Sequence, residues 1–194
     1  MAAEVVEGPD GKPRCPWAVS APEDYLPYHD EEWGRPVHGE SELFERLTLE
    51  AFQSGLSWLT ILRKRENFRR AFDGFDVDRI AAYGARDVKR LLSDEGIIRN
   101  RRKIEAAIAN AKAAKVLHGA GETLDELIWS FAPDPKGRPA PETLADVPAT
   151  TPESIALAEE LKRSGFVFVG PTTAYAMMQA IGVVNDHLAD CAFR

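Results

Sequence analysis

The chain of 194 residues has only two cysteines, few strand signals and no long apolar run. No apolar stretch approaches the length of a membrane span, and residues 1–14 lack the apolar core of a signal peptide. Two cysteines without an export signal indicate a reducing cytoplasm. The formal net charge of −7 argues against a general nucleic-acid binder. These features predict a cytoplasmic protein without a membrane partner, and nothing in them points beyond a monomer.

Helix signals recur along the chain instead. Apolar spacing, caps and breakers predict helices at about 43–51, 58–72, 76–82, 87–92, 100–117, 123–131, 152–165 and 171–181. Residues 133–152 contain six prolines and are predicted to be a loop, and 166–169 is the only plausible strand. The pattern therefore predicts an all-α fold, preceded by a flexible leader over residues 1–13.

The two cysteines each lie near a histidine. Cys15 precedes His29, and His187 and Cys191 have the i, i+4 spacing that places two side chains on one face of a helical turn. Two thiolates and two imidazoles would complete a tetrahedral zinc shell that joins the two chain ends. Two inert buried thiols or one disulfide are the alternatives, and the spacing alone does not decide between them.

The overall negative charge hides a basic segment. Thirteen basic and seven acidic residues lie between Leu62 and Lys103, so this part carries a net positive charge. Within it, Gly96 separates two predicted helices, and the turn would expose backbone N–H groups that suit phosphate. Arg99 and Arg101 flank that turn. A sequence-independent DNA grip is one interpretation, and an ordinary solvated helix face is the other.

Glu50 lies close to Leu43 and Leu47 on the apolar face of its predicted helix, whereas Glu42 and Glu45 are expected to face solvent. A buried carboxylate is costly unless it is paired or used. A buried salt bridge and a ligand-binding carboxylate both fit. Aromatic residues crowd the flanking sequence and favour the second interpretation, because they stack on nucleobases and attract cations; they are Trp17, Tyr25, Tyr28, Trp33 and Trp58.

Seven ordered segments carry a resemblance to a known family. They are RCPW at 14–17, YLPYHDEEWG at 25–34, LEAFQSGLSW at 49–58, ILRKREN at 61–67, GIIRN at 96–100, GFVFVG at 165–170 and VNDH at 184–187. Together they resemble the DNA-3-methyladenine glycosylase I family, of the helix-hairpin-helix superfamily of repair glycosylases. The resemblance covers nearly the whole chain, from about Arg14 to Cys191.

The resemblance implies a role for each candidate residue. It implies one structural Zn²⁺ ion held by Cys15, His29, His187 and Cys191. It implies that Glu50 recognises the modified adenine in a pocket of Tyr25, Tyr28 and Trp58, supported by Trp17 and Trp33. It implies that Gly55 and Leu56 fill the gap left by the displaced base. It also implies DNA contacts from the hairpin residues Gly96, Ile98, Arg99 and Arg101.

The implied architecture is a helix-hairpin-helix glycosylase domain over residues 14–194. A central lobe at about 36–165 would adjoin a zinc-linked lobe built from both chain ends. The implied activity is excision of 3-methyladenine from alkylated double-stranded DNA by hydrolysis of the N-glycosidic bond, which starts base excision repair and frees 3-methyladenine. The hairpin lacks the Leu-Pro-Gly-Val-Gly form of many superfamily members, and only Glu105 lies nearby where other members use a catalytic aspartate.

Two rival functions follow from the same residues. A catalytic zinc enzyme would need an open coordination position, which four protein ligands do not leave. A DNA-binding module that recognises damage without cutting would need no chemistry at Glu50. Release of free base from methylated DNA would separate such a module from a glycosylase.

Overall fold

The computed structural model describes residues 4–20 and 22–194 and confirms the all-α fold. Within those residues the α-helices are α1 (Pro16–Val19), α2 (Tyr25–Pro27), α3 (Glu40–Gln53), α4 (Trp58–Ala71), α5 (Val77–Ala81), α6 (Ala85–Ser93), α7 (Arg101–Gly119), α8 (Leu124–Trp129), α9 (Pro152–Arg163) and α10 (Pro171–Ala180). Short 3₁₀ turns lie at Asp73–Phe75, Pro135–Gly137 and Leu144–Asp146. None of the described helices is both long and apolar enough to cross a bilayer.

Side-chain caps set the starts of the helices that frame the site. The Ser57 hydroxyl accepts the Thr60 N–H at the start of α4, and the Asn100 side chain accepts the Lys103 N–H at the start of α7. Thr123 and Glu126 form a reciprocal capping box at the start of α8. Each cap satisfies backbone donors that would otherwise lack partners, so the local sequence determines where these helices begin.

The core divides into two hydrophobic clusters. The large cluster joins buried residues from α3 through α10, with Phe52, Phe68 and Phe72 in mutual ring contact. The small cluster is formed by Cys15, Leu188 and Cys191, from the two chain ends. Because α10 packs against both α3 and α9, its buried residues belong to the large cluster. This cluster includes residues on both sides of residue 165, so it does not mark a lobe boundary there. The division into a central lobe at about 36–165 and a terminal lobe stays a prediction.

The segment 166–169 is not the strand that its apolar residues suggest. Phe168 has φ of 59°, which interrupts an extended backbone. The Asn110 side chain on α7 accepts the Val167 N–H at 2.8 Å and donates to the Val167 carbonyl at 3.1 Å. A side chain distant in sequence thus takes the hydrogen bonds that a partner strand would take, and local strand propensity is overridden.

The described strands lie in the segment that we expected to be a flexible leader. Strand β1 (Val6–Glu7) pairs antiparallel with β2 (Pro13–Arg14), and the Gly8 N–H donates to the Lys12 carbonyl. The buried Arg14 side chain also ties this segment to Asp10 and Asp30, and its expected flexibility stays a prediction. Residues 1–3 of the expected leader lie outside the described residues.

Two further expectations differ from the structure near the chain ends. The irregular spacing around Tyr25 and Tyr28, with Pro22 and Pro27 nearby, predicts a loop. Both residues are helical instead, because α2 continues into a π-helical turn over Tyr28–Glu32. His187 and Cys191 lie in non-helical turns rather than on one helical face, with the Cys191 N–H donating to the Leu188 carbonyl at 2.9 Å. The chain path, not helical periodicity, brings this pair together.

Candidate active site and metal centre

Glu50 is buried on α3 without an ion partner. Its residue is 6% exposed, and no described side chain pairs with its carboxylate. Arg46, whose charge influences Glu50, donates instead to Glu32 at 2.9 Å. Burial raises the pKa of Glu50 to about 8, and the charge of Arg46 only partly opposes that rise. The salt-bridge interpretation is thus excluded for the described residues.

The Glu50 carboxylate faces a cavity of about 320 Å³, a volume in the range of small-ligand sites. All five aromatic residues singled out in the sequence line this cavity: Trp17, Tyr25, Tyr28, Trp33 and Trp58. The Trp17 ring meets Tyr25 edge-on at 5.7 Å and Trp33 at 5.1 Å between ring centroids. The cavity therefore combines flat apolar walls with one buried carboxylate, an arrangement that suits a planar ligand bearing positive charge.

Three further residues line the cavity that the sequence analysis missed, namely Gln53, Ala176 and Gln179. Gln53 lies three residues after Glu50 on α3, so helical spacing could have identified it. Ala176 and Gln179 lie on α10, and no local signal connects that helix with α3. The Trp58 indole N–H is also buried and has no acceptor among the described residues. It is a donor available to a ligand.

An ion network supports the cavity wall from behind. Glu32, on the π-helical turn, accepts from Arg65 at 2.5 and 2.8 Å and from Arg46 at 2.9 Å. Burial alone would raise the pKa of Glu32, but these hydrogen bonds lower it to about 2. The neighbouring Tyr28 hydroxyl stays neutral, because burial and then the Glu50 charge raise the pKa of Tyr28. The network thus fixes the π-helical turn to α3 and α4.

The two cysteines and two histidines converge into one buried cluster. Their donor atoms all lie within 4.8 Å of one another. The His187 Nδ1 atom is 3.1 Å from His29 Nε2, 3.5 Å from Cys191 Sγ and 3.8 Å from Cys15 Sγ. In a tetrahedral zinc site with ordinary bond lengths, ligand atoms stand about 3.3–3.8 Å apart. The cluster is therefore of the size that a tetrahedral metal ion requires.

The hydrogen bonds around the cluster direct its lone pairs inward. His29 Nδ1 lies 2.7 Å from the Asp30 carboxylate, so that nitrogen carries the proton and Nε2 faces the cluster. His187 Nε2 donates to the Trp33 carbonyl at 2.9 Å, which leaves Nδ1 free. Such outer partners fix the tautomers of metal-binding histidines. Arg14 in turn holds Asp30, at 2.7 and 2.9 Å. The two cysteines and two histidines therefore supply all four protein ligands that a tetrahedral metal ion requires.

A family model described as methyladenine glycosylase matches residues 17–194. The chain belongs to the methyladenine glycosylase family. This membership confirms the resemblance carried by the seven sequence segments.

Individual relatives agree with the family model. A DNA-3-methyladenine glycosylase of Haemophilus influenzae is 46% identical over 179 residues, covering 92% of this chain and 96% of the relative. A crystal structure of 3-methyladenine DNA glycosylase I matches with a TM-score of 0.85 and 47% identity, covering 92% and 98% of the two chains. The Staphylococcus aureus 3-methyladenine DNA glycosylase I, solved to explain 3-methyladenine recognition, matches with a TM-score of 0.83 and 34% identity, covering 92% and 95%.

The turn between α3 and α4 lies beside the aromatic cavity. Gly55 has φ of +79°, a conformation that glycine adopts without strain, and Leu56 is 40% exposed. Both residues line a second cleft that shares Glu50 and Gln53 with the aromatic cavity. An exposed apolar side chain therefore lines a cleft that adjoins the aromatic cavity.

The hairpin between α6 and α7 differs in detail from its sequence interpretation. Gly96 does not have a positive φ; a Cβ there would lie 2.9 Å from the Asp94 carboxylate and 3.0 Å from Asn67. Close approach to α4, rather than turn geometry, therefore requires the glycine. Its N–H donates to Asp94 at 2.8 Å. In the described residues the backbone N–H groups of Ile98 and Arg99 have no protein acceptor, so both amides are available to a ligand.

The basic side chains near the hairpin divide into two groups. Arg99 and Arg101 are exposed, at 51% and 61% of their side-chain surface. Lys103 is buried instead, and its ammonium donates to the carbonyls of Phe52 at 2.8 Å and Ser54 at 2.6 Å. It caps the C-terminal end of α3, where a cation is favourable. Lys103 therefore ties the hairpin to the turn at Gly55 rather than facing a ligand.

Proposed function

We propose that this protein is a DNA repair N-glycosylase that excises 3-methyladenine from alkylated double-stranded DNA. The observation that carries the proposal is the buried, unpaired Glu50 carboxylate within an aromatic cavity. Membership of the methyladenine glycosylase family supports it independently. The substrate is duplex DNA that contains alkylated adenine, and the product is free 3-methyladenine. We also propose that the protein acts as a monomer in the cytoplasm.

The charge of the substrate explains how a single carboxylate suffices. Adenine methylated at N3 carries a positive charge, which weakens the bond between base and sugar. The protein must extrude the nucleotide at a cost of a few kcal/mol in lost stacking. Tyr28 and Trp58 then hold the flat base, and the cation makes the ionised form of Glu50 favourable despite its burial. Glu50 contributes electrostatic stabilisation and base selection while water attacks the sugar.

The surface around the cavity mouth has the features needed to hold the distorted duplex. Leu56, at the Gly55 turn, is positioned to occupy the gap that the extruded base leaves. The free amides of Ile98 and Arg99, with the Arg99 and Arg101 side chains, are assigned to backbone phosphates. Gly96 permits the hairpin to pack closely on α4 and so fixes their position.

We assign the Cys–His cluster to one structural Zn²⁺ ion. Thiolate and imidazole ligands in a tetrahedral arrangement are typical of zinc. Cys15, His29, His187 and Cys191 occupy all four positions, so the ion supplies cohesion between the chain ends rather than a reactive water. The cluster holds the π-helical turn, which carries Tyr28 and Glu32, against the C-terminal segment.

The test is release of free base from methylated duplex DNA, measured by chromatography. We expect the wild-type protein to release 3-methyladenine. Glu50→Gln should lower single-turnover release by about 100-fold or more, the effect expected when an electrostatic group at the reacting centre is lost. Glu42→Gln is the matched control, because Glu42 lies exposed on the same helix. Tight binding without release would favour a damage-recognition module, and undiminished release by Glu50→Gln would exclude the role of Glu50.

A further inference from the structure

Gln179 is the one cavity residue whose side-chain amide is tied to a buried charge. It lies on α10 and lines the aromatic cavity beside Glu50. Its Nε2 atom donates to Asp186 Oδ2 at 2.8 Å. Asp186 is 3% exposed and belongs to the segment that precedes the metal ligand His187. The amide of Gln179 therefore connects the cavity to a polar group in the protein interior.

The partners of Asp186 determine which way the amide of Gln179 points. Asp186 Oδ1 accepts from Arg138 at 2.6 Å, and Oδ2 accepts from the Tyr175 hydroxyl as well as from Gln179. Both Asp186 oxygens thus act as acceptors toward Arg138 and the Tyr175 hydroxyl, so the Gln179 nitrogen, which donates, must face Asp186. The Gln179 carbonyl oxygen, Oε1, is then the amide atom left without a protein partner among the described residues. Because the amide cannot flip by 180° without losing the hydrogen bond to Asp186, this atom remains a hydrogen-bond acceptor.

We propose that Gln179 is a specificity-determining residue whose fixed carbonyl oxygen accepts a hydrogen bond from the exocyclic amino group of the base. Asp186 is the positioning residue that holds the amide in this orientation, with Arg138 and Tyr175 holding Asp186. The inference rests on the proposed glycosylase function and adds the group that separates purines with a 6-amino group from those with a 6-carbonyl group.

The discrimination follows from the pairing of donors and acceptors. A 6-amino purine offers an N–H group to Gln179 Oε1. A 6-carbonyl purine would place a second acceptor against it, which leaves both oxygens without a donor in a buried site. Sites built to hydrogen-bond a substrate group reject analogues that lack it more strongly than apolar pockets do. Rotation of the amide would relieve the clash, but it would turn the Gln179 carbonyl toward the Asp186 carboxylate.

The first test measures the binding of two free bases, 3-methyladenine and 3-methylhypoxanthine, by quenching of tryptophan fluorescence. These bases differ at position 6, amino against carbonyl. Gln179→Met should lower the preference for 3-methyladenine by about tenfold, the size of one buried hydrogen bond. Glu42→Gln is the control, because Glu42 is exposed and does not line the cavity; its preference ratio should stay within about twofold. An unchanged ratio in Gln179→Met would overturn the inference.

The second test turns the amide around. In Asp186→Asn the side-chain oxygen can still accept from Arg138, while the new NH₂ group faces Gln179. Gln179 then offers its oxygen to that NH₂ group and presents its own NH₂ to the cavity. We expect the preference to shift toward 3-methylhypoxanthine by more than in Gln179→Met. Equal losses of affinity for both bases, with metal content and melting temperature intact, would show a merely structural role and would contradict the positioning assignment.

The two proposals fail separately. Release of 3-methyladenine from DNA by the wild-type protein tests the glycosylase function and does not depend on Gln179. If the wild-type protein releases the base but the affinity ratios of both variants match that of the wild type, only the assignment of Gln179 and Asp186 fails. If the wild-type protein releases nothing, the glycosylase function itself fails.

Discussion

The Cys–His cluster and the aromatic cavity are neighbours, yet they treat buried polar groups in opposite ways. Trp17 contacts His29 at 5.1 Å and Trp33 contacts His187 at 4.7 Å between ring centroids, so the same rings border both regions. In the cluster both imidazoles have outer partners and direct their free nitrogens inward. In the cavity the Glu50 carboxylate and the Trp58 indole N–H have no partner among the described residues.

This difference separates scaffold from function. A buried polar group without a partner costs free energy, and a fold retains that cost where a ligand will supply the missing partner. The ligand atoms of the cluster are arranged for one metal ion and leave no open coordination position, so we expect the cluster to stabilise the fold. The cavity has a carboxylate, an indole N–H and, in our proposal, the Gln179 carbonyl oxygen available to a ligand. Substitutions in the two regions should therefore change stability in opposite directions.

Removal of the metal should have the largest effect. In the proposed assignment the ion joins Cys15 to Cys191, and a cross-link over most of the chain restricts the unfolded state by about 5 kcal/mol. We expect chelation to lower the free energy of unfolding by that order and to weaken base binding, because His29 and Trp33 lose their positions. Urea titration with metal analysis measures this. His38→Ala, an exposed histidine outside the cluster, is the control. A metal-free protein that keeps both stability and activity would contradict the assignment.

Glu50→Gln should stabilise the protein at high pH while lowering the release of base by about 100-fold or more. Burial raises the pKa of Glu50 from 4.5 to about 8. Between these values the folded protein binds more protons than the unfolded chain, so stability falls as pH rises. We expect the substitution to raise the free energy of unfolding by on the order of 3 kcal/mol at pH 9, and by little at pH 4. Urea titration of both proteins at the two pH values checks this, and a gain independent of pH would contradict it.

Much of this comparison could be predicted from sequence. The metal ligands and the aromatic residues occur in short segments with a recognisable order, and helical spacing places Glu50 with Leu43 and Leu47. Glu45 shows the limit of such spacing: it was expected to face solvent, but it is buried because Arg69 on the next helix pairs with it at 2.8 Å. Helical periodicity describes one helix and contains no information about the charges on another.

The acceptor pattern of the cavity could not be predicted. Gln179, Asp186 and Arg138 come from separate segments, and only the tertiary fold brings them into one hydrogen-bonded chain. The same reason accounts for the missing strand at 166–169, where Asn110 replaces a strand partner. Pairings between distant side chains leave no periodic trace in the sequence. The local signals therefore identified which residues matter, but not how their hydrogen bonds are arranged.

Glu32→Gln should show the opposite sign to Glu50→Gln. It removes the charge that Arg46 and Arg65 share and leaves two largely buried guanidinium groups without an ionic partner. We expect the free energy of unfolding at pH 7 to fall by about 2 kcal/mol, less than for a fully buried pair because Glu32 is partly exposed. Because its folded pKa is about 2, the wild-type contribution is lost as pH falls below the ordinary glutamate range.

The measurement is urea titration at pH 7 and pH 3. Glu66→Gln is the control, because Glu66 is an exposed partner of Arg69, and it should change stability by less than about 0.5 kcal/mol. If Glu32→Gln were as stabilising as Glu50→Gln, the distinction between a paired and an unpaired carboxylate would collapse.

The exposed hairpin arginines should have the smallest effect, and it should appear only with DNA. Arg99 and Arg101 lie outside both buried regions and are each paired loosely, at 3.5 and 3.3 Å, with a glutamate on the surface. If they contact phosphates, Arg99→Ala and Arg101→Ala should each weaken binding to duplex DNA by about 1 kcal/mol and reduce the slope of log affinity against log salt by about one.

Binding of the free base should not change in either hairpin variant, because neither side chain lines the cavity. Arg163→Ala is the matched control, an exposed arginine on α9 that pairs with Glu160. Fluorescence anisotropy at several salt concentrations gives the slopes. An unchanged slope in both hairpin variants would place the phosphate contacts elsewhere and would leave the free amides of Ile98 and Arg99 as backbone groups exposed to water.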